Sequence, residues 1–141
     1  MERKLRVRDV MSQDVTTLKR NDELMIADDV MRLGRIRHLP VVDDDDEGTV
    51  VGIVSQRDLF RSALARAIGY GEFAQSRVMK LLKVKEVMTS EVVTIGPDAP
   101  LEEAARIMWK RKLGCLIVMD GGRLAGILTE GDFVKRVAGP D

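Results

Sequence analysis

Along the chain, apolar positions fall into short blocks whose period switches between two and about 3.6, and the same order of blocks occurs twice. Each copy opens with a β-rich piece, Val15-Thr16-Thr17-Leu18 and then Val92-Val93-Thr94-Ile95. Asn21 and Asp98 stand where a helix N-cap is expected, and Pro100 suits a first helical turn. Leu24, Ala27, Val30 and Met31 then recur at helical spacing, as do Leu101, Ala104, Ala105, Ile107 and Met108 in the second copy. Two apolar runs follow in each, 38–42 and 50–54, then 115–119 and 124–128. Asp120-Gly121-Gly122 has the chemistry of a tight hairpin between them. A last helix closes each copy, at about 56–67 and 131–137. The predicted order is β-α-β-β-α, twice.

The repetition holds residue by residue. Val7-Arg-Asp-Val-Met11 returns as Val84-Lys-Glu-Val-Met88, an offset of 77. Thr17 meets Thr94, Leu24 meets Leu101, Ala27 meets Ala104, and Val41 meets Val118 at that offset. Downstream it becomes 74, where Gly52-Ile53 meets Gly126-Ile127 and Asp58 meets Asp132. The change falls in the acidic run Asp43–Glu47, which places a hairpin tip there, because insertions settle in exposed turns. A unit of about 55 residues buries too little surface to be comfortable alone. Two copies packed with an approximate internal two-fold answer that need. Phe73, Val78, Met79, Leu81 and Leu82 predict a linking helix within 72–83.

Composition narrows the class. Apolar residues at 45% supply a core, and aromatics at only 4% make it aliphatic. The 23 basic and 23 acidic residues cancel, which argues against a polyanion binder and a DNA-binding role. No run approaches the roughly 18 residues of a membrane span, and the charged start lacks the apolar core of a signal peptide. Cys115 is the only cysteine, so neither an intramolecular disulfide nor a Cys-rich metal site can form. The expectation is a cytoplasmic protein.

The candidate motif ends the second apolar run of each copy: Ser55-Gln-Arg-Asp58 and Thr129-Glu-Gly-Asp132. Two readings fit. The hydroxyl and the acid three residues on can cap the helix as a variant capping box. Alternatively they face a cleft, where an ionised carboxylate accepts both hydroxyls of a ribose and the helix N-terminus suits a phosphate.

These motifs in order, Val-x-x-Val-Met, x-Val-x-Thr, His38-Leu-Pro-Val-Val-Asp43 and Gly52-Ile-Val-Ser-x-x-Asp-Leu59, resemble the cystathionine β-synthase (CBS) domain. Two in tandem resemble a Bateman module. The resemblance implies an α/β (α+β) fold of two β-α-β-β-α repeats packed with pseudo-two-fold symmetry. It divides the chain into repeat 7–64, linking helix 65–83 and repeat 84–138, a stand-alone pair. It also implies a non-enzymatic regulatory module that binds an adenosyl ligand (AMP, ADP or ATP) in clefts between the repeats. No cofactor or metal is required, and the expected partners are a second copy and a regulated protein, not nucleic acid or membrane. By position, Asp58 and Asp132 would hold ribose hydroxyls, helped by Ser55 and Thr129. The segments around Val15, Thr17, Pro40, Thr94 and Cys115 would surround adenine, and Arg37 and His38, with Arg57, would reach phosphate. In the second copy Arg37-His38 becomes Gly114-Cys115, Pro40 becomes Ile117 and Arg57 becomes Gly131, so the two sites are expected to be unequal.

Other features read plainly. His38 is the only histidine and makes no metal cluster alone. Cys115 reads as a small core residue and the acidic run as a solvated turn without EF-hand spacing. Gly69-Tyr-Gly-Glu-Phe-Ala74 follows a helix rather than a strand, so it fails the condition for a dinucleotide loop. Trp109, beside Lys110, Arg111 and Lys112 at a helix end, reads as an exposed contact. No Ser-His or Cys-His pair supports nucleophilic catalysis. A structural module that only dimerises, and an enzyme using Asp58 or Asp132, are the competing readings.

Overall fold

The computed structural model describes residues 4–67 and 81–139. In chain order the elements are α1 (Val7–Val10), β1 (Leu18–Lys19), α2 (Leu24–Gly34), β2 (His38–Val42), β3 (Val50–Ser55) and α3 (Gln56–Ala67), then a 3-10 turn at Val84–Glu86. They continue with β4 (Thr94–Ile95), α4 (Leu101–Arg111), β5 (Cys115–Asp120), β6 (Arg123–Thr129) and α5 (Glu130–Ala138). The strands make two three-stranded sheets, β1-β2-β3 and β4-β5-β6. In each, the first pair is parallel and the second antiparallel. The mixed α+β architecture and the duplicated element order agree with the sequence reading. The linking helix predicted within 72–83 lies mostly outside the described residues.

The chain divides into two compact units that cut across the sequence repeats. One comprises Met1–Val15 with Val92–Asp141, the other Thr16–Glu91. Each sheet is therefore completed by the leading segment of the other repeat. Val7 N–H donates to Ala99 O at 3.0 Å, Arg8 N–H to Pro97 O at 2.9 Å, and Leu101 N–H to Leu5 O at 3.0 Å. In the second unit Val84 N–H donates to Asp22 O at 2.8 Å, Lys85 N–H to Arg20 O at 2.9 Å, and Leu24 N–H to Leu82 O at 2.8 Å. Every pair is displaced by the repeat offset of 77, so the strap is a property of the repeat. Val7 and Val84 are fully buried and drive their segments into the cores. Leu24, Ala27, Met31, Leu39, Val41 and Val54 form one core with Val84. Ala104, Met108, Leu116, Val118 and Leu128 form the other with Val7.

Three local expectations are corrected. Neither Asn21 nor Asp98 caps a helix: the N-caps are Glu23 and Pro100. Asn21 instead donates from the β1–α2 connection to Asp44 in the β2–β3 turn. Asp98 accepts from Arg8 Nε at 2.8 Å and pairs with Arg6 at 3.4 Å. The Arg8 hydrogen bond holds the Asp98 carboxyl below its ordinary range. The β-rich leading pieces also shorten to two residues, and β1 starts one step later in the repeat than β4. Ile117 N–H donates to Val93 O at 3.1 Å, but its counterpart Pro40 has no N–H to extend the ladder to Thr16.

The turns match the sequence. Gly121 and Gly122 sit at φ 59° and 82° between paired Asp120 and Arg123, as a two-residue hairpin loop requires. Helices α2 and α4 end in the left-handed region at Arg35 (φ 52°) and Lys112 (φ 54°), whose N–H groups return to Met31 O and Met108 O.

Glycine matters most where the strap meets the sheet. Ser12 and Ile127 exchange two backbone bonds, at 2.9 and 3.0 Å, and Thr89 and Ile53 do the same. A Cβ on Gly126 would lie 2.8 Å from both Met11 Sδ and Ser12 O, and one on Gly52 would lie 2.6 Å from Met88 Sδ and 3.0 Å from Thr89 O. At Gly52 the nearer obstacle is a flexible side-chain end, whereas at Gly126 the strap's own carbonyl is struck as hard. Gly126→Ala should destabilise by about 1–3 kcal/mol and Gly52→Ala by less. Urea unfolding of the two variants checks the order, and equal midpoints would contradict it.

Candidate functional site

Sheet topology gathers the candidate residues at one end of each sheet. In the unit Thr16–Glu91, antiparallel β3 finishes where β2 starts, while parallel β1 begins three residues further along β2, with Leu18 opposite Val41. Thr17 precedes β1, Arg37 precedes β2, and His38 stands opposite Ser55 at the end of β3. Gln56 N–H donates to Arg37 O at 2.8 Å, which sets the start of α3 against the start of β2. Arg37, His38, Ser55, Arg57 and Asp58 thus share this end, and Thr17 stands further along β2, one residue before the Leu18 that faces Val41. Arg37 and Arg57 are exposed, His38 and Asp58 half-buried. Pro40 lies deeper in the strand, buried and opposite Ile53. Because Pro40 cannot donate, the Thr16 carbonyl lacks the ladder bond that Val93 accepts in the other unit.

The Ser-x-x-Asp motif caps its helix, as the first of the two readings holds. Ser55 N–H donates to Asp58 Oδ2 at 2.9 Å, and Asp58 N–H donates to Ser55 Oγ at 3.1 Å. Capping occupies one carboxylate oxygen. Asp58 Oδ1 has no partner among the described residues, so the second reading survives alongside the first.

The other unit repeats the plan with different contents. Cys115 stands opposite Thr129, and Glu130 N–H donates to Gly114 O at 3.2 Å. Thr94 is exposed on the short β4. Asp132 Oδ2 accepts from Thr129 N–H at 2.8 Å and from Thr129 Oγ1 at 3.3 Å, while its Oδ1 accepts from Ser12 Oγ at 3.3 Å. Val15, grouped with Thr17 by the sequence, falls in this unit, half-buried, with its N–H on Gln13 O at 2.9 Å. Ser12 is the participant that sequence reasoning missed. The 77-residue offset that pairs it with Thr89 was available, but only folding brings it to Asp132.

The remaining features keep their plain readings. The acidic run folds onto itself: Asp43 Oδ1 accepts from Asp45 N–H at 3.0 Å, Asp46 Oδ1 from Gly48 N–H at 3.1 Å, and Arg20 pairs with Asp43 at 3.0 Å. Among the described residues no group of three or more metal-ligating side chains gathers. None of their helices is long and apolar enough to cross a membrane. An open groove of about 870 Å³ runs between α4 and α5, lined by Met108, Trp109, Leu113 and Phe133 with Lys110 and Lys112 beside them. It includes neither Thr129 nor Asp132, and Trp109 is 85% exposed.

The chain belongs to the CBS domain family, whose signature matches residues 7–65 and 84–139. A CBS domain-containing protein of Dictyostelium discoideum is 32% identical over 132 residues, which cover 93% of this chain and 90% of that protein. The inosine-5′-monophosphate dehydrogenase of Methanocaldococcus jannaschii is 37% identical over 129 residues, 91% of this chain but 23% of that enzyme. An uncharacterised protein of the same organism, MJ1404, is 32% identical over 136 residues, 94% of this chain. The chain spans only about a third of MJ1404's length. Among solved structures, CBSX2 in complex with AMP superposes with a TM-score of 0.74 at 30% identity, covering 94% of this chain and 95% of that one. The CBS domain pair of MJ0100, in complex with 5′-methylthioadenosine and S-adenosyl-L-methionine, gives 0.75 at 28% identity, covering 96% and 98%.

Cys115 has a definite chemical state. Burial pushes its thiol from 9.0 up to about 12. The thiol is therefore neutral at physiological pH, and its nucleophilicity is suppressed. Between pH 9 and 12 the unfolded chain ionises first, so this residue's contribution to stability is lost as pH rises through that window. Labelling with a maleimide at pH 8 should be much slower in the folded protein than in urea. Equal rates would show an accessible thiolate.

Proposed function

We propose that this chain is a non-enzymatic, cytoplasmic regulatory module that binds an adenosyl ligand, AMP, ADP or ATP, through the sheet ends marked by Asp58 and Asp132. The observation that carries the reading is the Asp58 carboxylate. Its Oδ2 is held by the Ser55 N–H at 2.9 Å, and its other oxygen is left to accept a sugar hydroxyl. The cap fixes the side chain in advance, so little rotamer entropy is lost on binding. Arg37, His38 and Arg57 at the same end supply positive charge and donors for phosphate. The Thr16 carbonyl suits an exocyclic amine. Thr17 and Pro40 flank a base there, and Thr94, Cys115 and Thr129 hold the matching positions in the other unit. The AMP of CBSX2 and the adenosyl ligands of MJ0100, in structures of the same fold, support this class of ligand. Signalling to a regulated protein requires that ligand favour one shape of the module over another.

A second copy of the chain is the other partner we propose. Phe60, Val134 and Val137 are 67%, 68% and 89% exposed on α3 and α5, and Trp109 is 85% exposed on α4. Such helix faces are costly to leave in water and suit a homodimer.

Two measurements test these readings. AMP at 100 times its Kd should add ~2.7 kcal/mol of stability, a rise of several degrees in Tm, and Asp58→Asn should weaken binding at least tenfold. No shift with AMP, ADP, ATP or S-adenosylmethionine would remove the ligand reading. Light scattering should give twice the chain mass for the wild type and a monomer for Trp109→Glu with Val137→Glu. A monomeric wild type would remove the dimer.

A further inference from the structure

The two carboxylates differ in how much of their accepting capacity is already taken. An ionised carboxylate has about four acceptor positions. Asp58 uses one, for the Ser55 N–H. Asp132 uses three, for the Thr129 N–H, the Thr129 hydroxyl and the Ser12 hydroxyl. Ser12 is held in place by the strap, through its two backbone bonds to Ile127 at 2.9 and 3.0 Å. Its repeat counterpart Thr89 is held to Ile53 by the same two bonds, at 2.9 and 3.0 Å. Yet Asp58 accepts nothing from the Thr89 hydroxyl among the described residues. The backbone frame is common to both units, and the closing contact belongs to one.

We infer that Ser12 is a specificity-determining residue that closes the Asp132 carboxylate to a ribose, so that an adenosyl ligand fills the Asp58 side first. This rests on the reading of both aspartates as sugar ligands. A vicinal diol needs two acceptor positions. Asp58 offers them freely, whereas at Asp132 the diol must displace Ser12. The loss of one hydrogen bond to a charged acceptor corresponds to about tenfold in affinity.

The experiment isolates the second site by removing the first. AMP and 2′-deoxy-AMP are titrated calorimetrically into Asp58→Asn and into Asp58→Asn with Ser12→Ala. Ser12→Ala should tighten AMP about tenfold and leave 2′-deoxy-AMP nearly unchanged, because the deoxy sugar presents no second hydroxyl. In an Asp132→Asn background, Thr89→Ala should leave AMP affinity as it was. Unchanged or weaker AMP binding on Ser12→Ala, or an equal gain for both nucleotides, overturns the role of Ser12 while wild-type binding preserves the ligand reading. Absence of AMP binding to the wild type overturns both.

Discussion

Each sheet has one edge strand only two residues long, and each unit depends on a backbone strap laid against its other edge strand. The strap can approach only where that strand lacks a side chain. Gly52 and Gly126 meet this condition, each beside a methionine sulfur and the carbonyl of the next residue. The exchanged bonds between Ser12 and Ile127, and between Thr89 and Ile53, follow from that approach. Unpaired backbone groups at a buried strand edge would otherwise be costly. The strap is anchored at its other end by Val7 or Val84, both wholly buried.

The same constraint organises the candidate site. Beyond the glycine contact, β3 and β6 run on to Ser55 and Thr129, and the following helix starts in the next residue. A strap that fixes the strand also fixes where the helix N-terminus and its capping carboxylate stand. Helix capping takes one oxygen of Asp58, so it does not compete with the proposed ligand capture by the other. In the unit holding Asp132 the strap also delivers a hydroxyl to the carboxylate, so a contact that stabilises the fold alters the chemistry beside it.

Much of this was legible in the residues. The aliphatic periodicity located α2 and α4, the glycine pair located the β5–β6 turn, and α3 begins and ends where its pattern does. The departures share a cause. Asn21 and Asp98 have N-cap chemistry, but Asp44 and Arg8, distant in sequence, take their polar atoms. Propensity ranks local partners only, and a charged partner across the fold outweighs a backbone N–H in the next turn. The short β1 is the converse case. Its boundary follows from Pro40, which was visible in the sequence, but the pairing that gives that proline its effect was not.

By itself the sequence determined the duplication, the β-α-β-β-α order, the aliphatic cores and the family, because apolar spacing and turn residues act over a few positions. It also placed Ser55–Asp58 and Thr129–Asp132 at matched strand-to-helix junctions. Only tertiary structure decided that each sheet is completed by the other repeat's leading segment. It alone put Val15 and Thr17 in different units and brought Ser12 to within 3.3 Å of Asp132. Those outcomes turn on which backbone edges find partners. Such pairing is settled by burial and hydrogen bonding between residues 36 to 120 positions apart in the chain and leaves no trace in local pattern.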